Sequence, residues 1–261
     1  MLRPYHLLSV LLFGLAALTA CSTDGLRDRD HELNPDFPKK LAGKNIILQT
    51  ERGTAFTVYE VGPRNAKRGI VLYHEWWGLN DHIRDWADRF AGLGYYALAV
   101  DLYNDKVATT PEEARTYMAA FDQEAANAKH RAALKALKAP GRKLAVIGWC
   151  FGGGQSLRAA LTDPDAVSAT VIYYGPLITD VEMLKKLKAP VLGIFGSKDT
   201  SVTPEKVKAF EDAMKQAGRK LEAHTFEAEH AFANPSGTRY HGAAAQTSWK
   251  TTQEFLDRNL R

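Results

Sequence analysis

Cysteine is nearly absent: Cys21 and Cys150 are the two in 261 residues. If Cys21 is consumed by acylation, as its context suggests, Cys150 has neither an intrachain disulfide partner nor a resolving thiol, which argues against a bridge and against thiol-redox chemistry. A surplus of charge is missing as well. The 34 basic and 30 acidic residues leave a formal +4, spread along the chain without a basic block or the aromatic-basic interleaving of nucleic-acid grooves, so nucleic acid is not an expected partner. The apolar run over residues 7–18 is short for a bilayer crossing. After residue 44 there is no internal repeat and no linker. With 45% hydrophobic residues, that composition suits one large domain rather than two.

What the N-terminus does contain is an export pattern: Arg3 precedes the apolar run, and residues 1–20 read as a signal peptide. It ends in Leu18-Thr19-Ala20-Cys21, which resembles the bacterial lipobox, where cleavage precedes a cysteine whose sulfur then carries lipid. The resemblance implies a lipid anchor at Cys21, with Ser22 after it pointing to the outer membrane and a periplasm-facing protein. Residues 21–43 are polar and of mixed charge, as a tether is. The folded domain is expected over 44–261, in contact with the membrane through the anchor only and monomeric by default.

Within that domain, 46–49 and 56–60 look like an opening antiparallel hairpin. Residues 69–73, 95–100, 144–147, 169–173 and 191–195 are near-continuous apolar runs, the pattern of strands buried on both faces of a largely parallel sheet. Helical stripes lie between them: Ile83, Trp86, Ala87, Phe90 and Ala91; Val207, Phe210, Met214 and Ala217; and finally Ala245, Trp249, Thr252 and Leu256. Thr110-Pro111-Glu112-Glu113 offers an N-cap, a first-turn proline and a capping-box glutamate, Thr203-Pro204 repeats the first two, and Gly218 can close a helix. The fold class is therefore α/β, with a doubly wound sheet flanked by helices.

Strand, Gly148-Trp149-Cys150-Phe151-Gly152, then helix is the setting of a nucleophile elbow, with cysteine in the place usually held by serine. The glycines avoid collisions that side chains flanking so sharp a turn would suffer. The helix N-terminus favours thiolate over thiol. The same glycine-rich turn also suits phosphate binding or simple packing, so the motif alone leaves the role open. Triad partners follow in the order acid, then histidine. Asp199 stands in the loop after 191–195, where an Asx turn is the other reading. His230 stands in the loop after the strand 221–226, where a general base belongs. His224 lies inside that strand, His130 and His241 lie in helix or helix-start positions with polar neighbours, and His74 is the competing site histidine. An oxyanion hole is expected from the N–H of Phe151 and that of Trp76 or Trp77.

HEWWGLN at 74–80, DLY at 101–103, VIGWCFGGG at 146–154, YYG at 173–175, APVLGIFGSKD at 189–199 and EHAFAN at 229–234 together resemble the dienelactone hydrolase family. The resemblance spans the whole expected domain. It implies an α/β-hydrolase fold and a cysteine hydrolase that needs no metal and no organic cofactor. It further implies Cys150 as nucleophile, His230 as base, Asp199 as acid, Glu75 as activator of the resting thiol, and Trp76 and Phe151 as oxyanion-hole donors.

The departures concern substrate. Lactone-cleaving members carry an arginine two residues after DLY and another after His-x-Phe-x, which hold the substrate carboxylate; here Asp105 and Asn234 occupy those places. Asp and Asn cannot form a bidentate carboxylate clamp, although Lys106 or Arg239 stands nearby. A neutral or less acidic ester, lactone or thioester is expected, in a pocket shaped by Trp76, Trp77 and Trp149. The missing arginines also motivate a second reading, a non-catalytic envelope lipoprotein that uses the scaffold to bind a ligand or partner.

Overall fold

The computed structural model of the chain describes residues 40–261. The signal peptide, Cys21 and most of the tether lie outside the described residues. In chain order the elements are β1 (Lys44–Gln49), β2 (Ala55–Val61), β3 (Arg68–Tyr73), α1 (Asp81–Gly92), β4 (Tyr95–Val100), α2 (Pro111–Ala119), α3 (Gln123–Leu137) and β5 (Lys143–Trp149). They continue with α4 (Phe151–Thr162), β6 (Ala169–Tyr173), α5 (Val181–Leu184), β7 (Val191–Gly196), α6 (Pro204–Gln216), β8 (Leu221–Phe226) and α7 (Gly242–Asn259). Among the described residues no helix is long and apolar enough to cross a membrane.

The strands form one sheet in the order β1-β2-β4-β3-β5-β6-β7-β8. The opening hairpin is antiparallel, β2 joins β4 antiparallel, and the pairs from β4 through β3 to β8 are parallel. Alternation within each central strand feeds two cores. Ile70, Leu72, Ala145, Ile147, Val171 and Ile194 pack with Phe90 of α1 and Phe255 of α7, while Val71, Val146, Ile172 and Phe195 pack with Leu134 of α3, Leu157 of α4 and Phe210 of α6. Both faces of the central sheet are thus dry, which is why these strands read as unbroken apolar runs. The outer strands alternate instead. Ile47 of β1 is 62% exposed, and His224 of β8 points to solvent.

Local signals account for most element ends. The Thr110 hydroxyl accepts the Glu113 N–H at 3.2 Å to start α2, His241 caps α7 through the Ala244 N–H, and Gly218 adopts φ +67° just past α6. Helix α3 is an element that the apolar stripes did not announce, because its buried face is largely alanine: Ala126, Ala132 and Ala133 lie against the sheet. Asp122 starts it by accepting the N–H groups of Glu124 and Ala125. His130 belongs to that face and corrects the expectation of polar surroundings. It is fully buried, edge-on to Tyr73 at 4.7 Å and bonded to Gln155, and burial pushes it down to about 4.

The junction of β5 and α4 is the tightest place in the fold. A Cβ at Gly148 would fall on the carbonyl oxygen of Gly152, and one at Gly152 on the carbonyl oxygens of Tyr73 and His74. Backbone atoms in a packed sheet cannot yield as the end of a flexible side chain can. Gly152→Ala is therefore expected to lower stability by about 1–3 kcal/mol, read as a lower urea midpoint; an unchanged midpoint would show that the turn relaxes freely.

Candidate active site

Five described non-glycine residues have positive φ: Asn104, Asp105, Cys150, Tyr174 and Ala231. All five stand in loops at the C-terminal ends of β4, β5, β6 and β8. Each such residue costs on the order of 1–3 kcal/mol, and such strain collects where a protein must aim particular groups. The parallel sheet supplies the rigid frame, and its upper rim carries the distortion.

Cys150 sits at φ +52°, ψ −122°, as the N-cap of α4 with no side-chain cap bond of its own. Its N–H is tied to Tyr173 O at 3.0 Å and its carbonyl receives the Gly153 N–H at 2.9 Å, so the backbone is fixed and the sulfur is left to point outward. His230 comes from the loop after β8 and stands within electrostatic reach of the Cys150 side chain. Its Nδ1 lies 2.7 Å from Asp199 Oδ2. Asp199 stands after β7, and its other oxygen accepts the Ser201 and Val202 N–H groups at 2.7 and 2.9 Å. The Asx-turn reading of Asp199 and its pairing with histidine are thus both met, one by each oxygen.

The electrostatics follow from that arrangement. Burial opposes charge on His230, but the bond to Asp199 and its negative charge, with the Cys150 side chain nearby, outweigh it and raise the imidazole to about 10. Burial also opposes charge on Asp199, and the His230 contact together with the two backbone N–H bonds holds it below its usual range. Both side chains are withdrawn from water, with 12% of His230 and none of Asp199 exposed. The interaction is consequently little screened.

Glu75 lies in the loop after β3, 3% exposed. Burial dominates and pushes its carboxyl up to about 7, against the opposing pull of His230, Asn234 and Arg239. Asn234 Nδ2 donates to Glu75 Oε2 at 2.6 Å. The other oxygen, Oε1, is buried without a protein partner. Asp105, by contrast, serves its own loop: its N–H donates to Asp101 Oδ2 at 2.6 Å in a left-handed turn. The two positions expected to hold arginine are thus put to different structural uses.

His74 does not compete for the site. It is fully buried, its Nδ1 donates to Glu75 O at 2.6 Å and its Nε2 accepts the Leu102 N–H at 3.1 Å, so it ties the loop after β3 to the loop after β4. Trp149 is a correction. It points into the core of the opposite face, 1% exposed and stacked on Trp86 at 5.2 Å, because residues adjacent to a strand-borne nucleophile alternate away from it. Trp77 packs on Ala108 and Ala114, and Trp76 is partly exposed beside it. Phe151 opens α4, so its N–H is among the first-turn donors that lack an intrahelical acceptor.

Two tyrosines were quoted in sequence motifs without a role. Tyr174 stacks edge-on to His230 at 5.2 Å, and its hydroxyl feels the charges of Glu75 and Cys150. Tyr103 has a buried hydroxyl with no hydrogen-bond partner, within electrostatic reach of Cys150. A cavity of about 480 Å³ is lined by Tyr103, Lys106, Tyr117 and Phe121 together with charged residues such as Arg52, Glu124 and Arg131, and is bordered by none of Cys150, Asp199, His230 and Glu75. Among the described residues no three His, Cys, Asp or Glu side chains converge in a group able to hold a metal.

A mostly parallel sheet between helical layers, with a strained nucleophile-type turn leading into a helix, defines an α/β-hydrolase fold. The sequence profile described as the dienelactone hydrolase family matches residues 56–260, and the chain belongs to that family and is a hydrolase. A Salmonella typhimurium protein provisionally named carboxymethylenebutenolidase is 31% identical over 213 residues, 72% of this chain and 76% of its own. Protein usf of Aquifex pyrophilus is 29% identical over 80% of this chain and 96% of its own. Among solved structures, one titled m3DLH superposes with a TM-score of 0.75 at 29% identity, covering 83% of this chain and 98% of its own. A dienelactone hydrolase-like promiscuous phosphotriesterase from metagenomic libraries gives 0.72 at 27%, over 84% and 99%.

A raised imidazole and a lowered carboxylate set a pH window for stability. His230 contributes fully below its unfolded value near 6.5 and loses that contribution as pH rises through about 10; Asp199 contributes above the usual carboxylate range and loses it as pH falls. Asp199→Asn is therefore expected to cost most stability near pH 6 and progressively less toward pH 10, in denaturant titrations across that range. A cost that stays constant through pH 10 would show that the pair is not charge-coupled.

Proposed function

We propose that the protein hydrolyses a carboxylic ester, lactone or thioester through an acyl-enzyme on Cys150. The observation that carries this reading is the 2.7 Å bond between His230 Nδ1 and Asp199 Oδ2, with Cys150 in a strained strand-to-helix turn within electrostatic reach of that imidazole. In the forward step the Cys150 sulfur, as thiolate, attacks the acyl carbon, and the carbonyl oxygen becomes an oxyanion near the N–H groups of Trp76 and Phe151. The tetrahedral species collapses, the C–O or C–S bond to the leaving group breaks, and His230 gives that group its proton. Water then attacks the thioester with His230 as base, and the acid leaves with the thiol restored. Asp199 keeps His230 in the Nδ1–H form and supports its positive charge. Glu75, which interacts with His230, is in this reading the activator of the resting thiol.

The substrate is small and need not be anionic. The relatives' names speak of carboxymethylenebutenolide, and the positions that would clamp its carboxylate are here given over to a loop turn at Asp105 and to Glu75 at Asn234.

The lipobox motif supports a bacterial envelope location, with the domain held by a lipid on Cys21 and facing the periplasm from the outer membrane. Cys21→Ala is expected to shift the protein from the membrane pellet to the soluble fraction and to abolish incorporation of labelled palmitate. Retention in the pellet with label still present would remove the anchor from the account.

For the chemistry, purified full-length chain is expected to turn over an activated aryl ester, and Cys150→Ala to lower kcat by about 10³-fold or more. Undiminished turnover in Cys150→Ala would refute the nucleophile, whereas ligand binding without any wild-type turnover would favour a scaffold that only binds.

A further inference from the structure

Asn234 is built into its place from both ends. Its N–H donates to Ala231 O at 3.0 Å and its carbonyl accepts the Gly237 N–H at 3.1 Å, while its side-chain Oδ1 accepts the Ser236 N–H at 2.8 Å. A backbone N–H can only donate, so the amide oxygen faces Ser236 and the amide nitrogen must face Glu75. That nitrogen reaches Oε2 at 2.6 Å, in a site where Asn234 is 4% exposed and Glu75 is 3% exposed. A carboxyl in such a place is usually held by a cation or by several N–H groups. Here a neutral amide holds one oxygen and Oε1 has no protein partner.

We propose that Asn234 is a positioning residue that fixes Glu75 beside Cys150 and His230 through one neutral donor, leaving Oε1 to take and return a proton. The proposal rests on the Cys150 reading given above and adds to it the residue that sets how readily Glu75 ionises. In the activating step that the family resemblance implies for Glu75, the Sγ–H proton passes to its carboxylate, giving thiolate and carboxylic acid; no electrons leave or enter. An ion-pair partner would hold Glu75 ionised through the neutral range, whereas a single amide leaves it free to change state there.

The groups around Glu75 are few. His230 approaches from the loop after β8, the exposed Arg239 from the loop before α7, and both favour the carboxylate. The Tyr174 hydroxyl comes from the loop after β6 and feels both Glu75 and Cys150. His74 is adjacent in sequence but is engaged through Nδ1 and Nε2 by backbone groups and is held below its usual value by burial. None of these replaces the Asn234 donor at Oε2.

The test measures, on the full chain, the pH dependence of Cys150 alkylation by iodoacetamide and of kcat/KM for an aryl ester, in wild type, Asn234→Ala, Asn234→Asp and Glu75→Gln. Removing the donor disfavours the carboxylate, so the acid limb of both profiles is expected to move up by about one pH unit in Asn234→Ala. Asn234→Asp keeps the shape and the Ser236 bond, sets a second carboxyl against the first, and is expected to move the limb further. In Glu75→Gln the limb set by Glu75 is replaced by the thiol's own ionisation, and adding Asn234→Ala to it moves nothing more. Rates reduced by the same factor at every pH, with the limb unmoved in both Asn234 variants, would make Asn234 a structural residue only and overturn the proposal. Because alkylation needs no turnover, a shifted alkylation limb without ester hydrolysis would sink the hydrolase reading and leave this one standing, and the reverse result would do the opposite.

Discussion

The backbone at Cys150 is the constraint on which the site depends. A left-handed φ of +52° at a non-glycine residue is unfavourable, and it persists because the flanking strand and helix are held by a core that outweighs it many times over. Gly148 and Gly152 remove the side chains that would keep β5 and α4 apart. Once the turn is closed, the sulfur stands at a helix start, at the rim of the sheet, with the Phe151 N–H beside it. Tyr174 and Ala231 repeat the device at neighbouring loops, and through them the chain brings a ring against His230 and turns His230 toward the thiol.

Two acid–base groups with opposite environments stand within reach of each other at this rim. His230 is held charged by Asp199 and Cys150 against the penalty of burial, whereas burial wins at Glu75, where the compensating partners are one amide and two more distant cations. The contrast comes from hydrogen-bond supply. Asp199 accepts three N–H groups, counting His230; Glu75 accepts one at its carboxyl. A site that must hold a positive imidazole in one place and move a proton in another needs such a difference.

Much of this is legible in the amino-acid sequence. The parallel strands were readable because both sheet faces are dry, and the order of Cys150, Asp199 and His230 after β5, β7 and β8 placed the triad candidates. What was not readable has physical causes. Helix α3 buries alanine, which carries little periodic signal. His130 and Lys129 were hidden because burial of a polar residue depends on partners far away in sequence, such as Gln155, Asp101 O and Asn104. Trp149 was misplaced because the residue before a nucleophile faces the other side of the sheet. Asn234 was noticed for the cation it is not; its bond to Glu75 spans 159 residues, and nothing local reports it.

The substrate question follows from the same facts. Asp105 holds its own loop through its backbone N–H and Asn234 holds Glu75, so neither place offers the cation that a fixed carboxylate would need. Chemistry and recognition are therefore separable, and the chemistry can be examined with any activated ester. The most direct measurement is rapid-quench peptide mass mapping within the first turnover: the account predicts the acyl mass on the peptide that carries Cys150, and turnover with Cys150 unmodified, or with the acyl group on another residue, would contradict it.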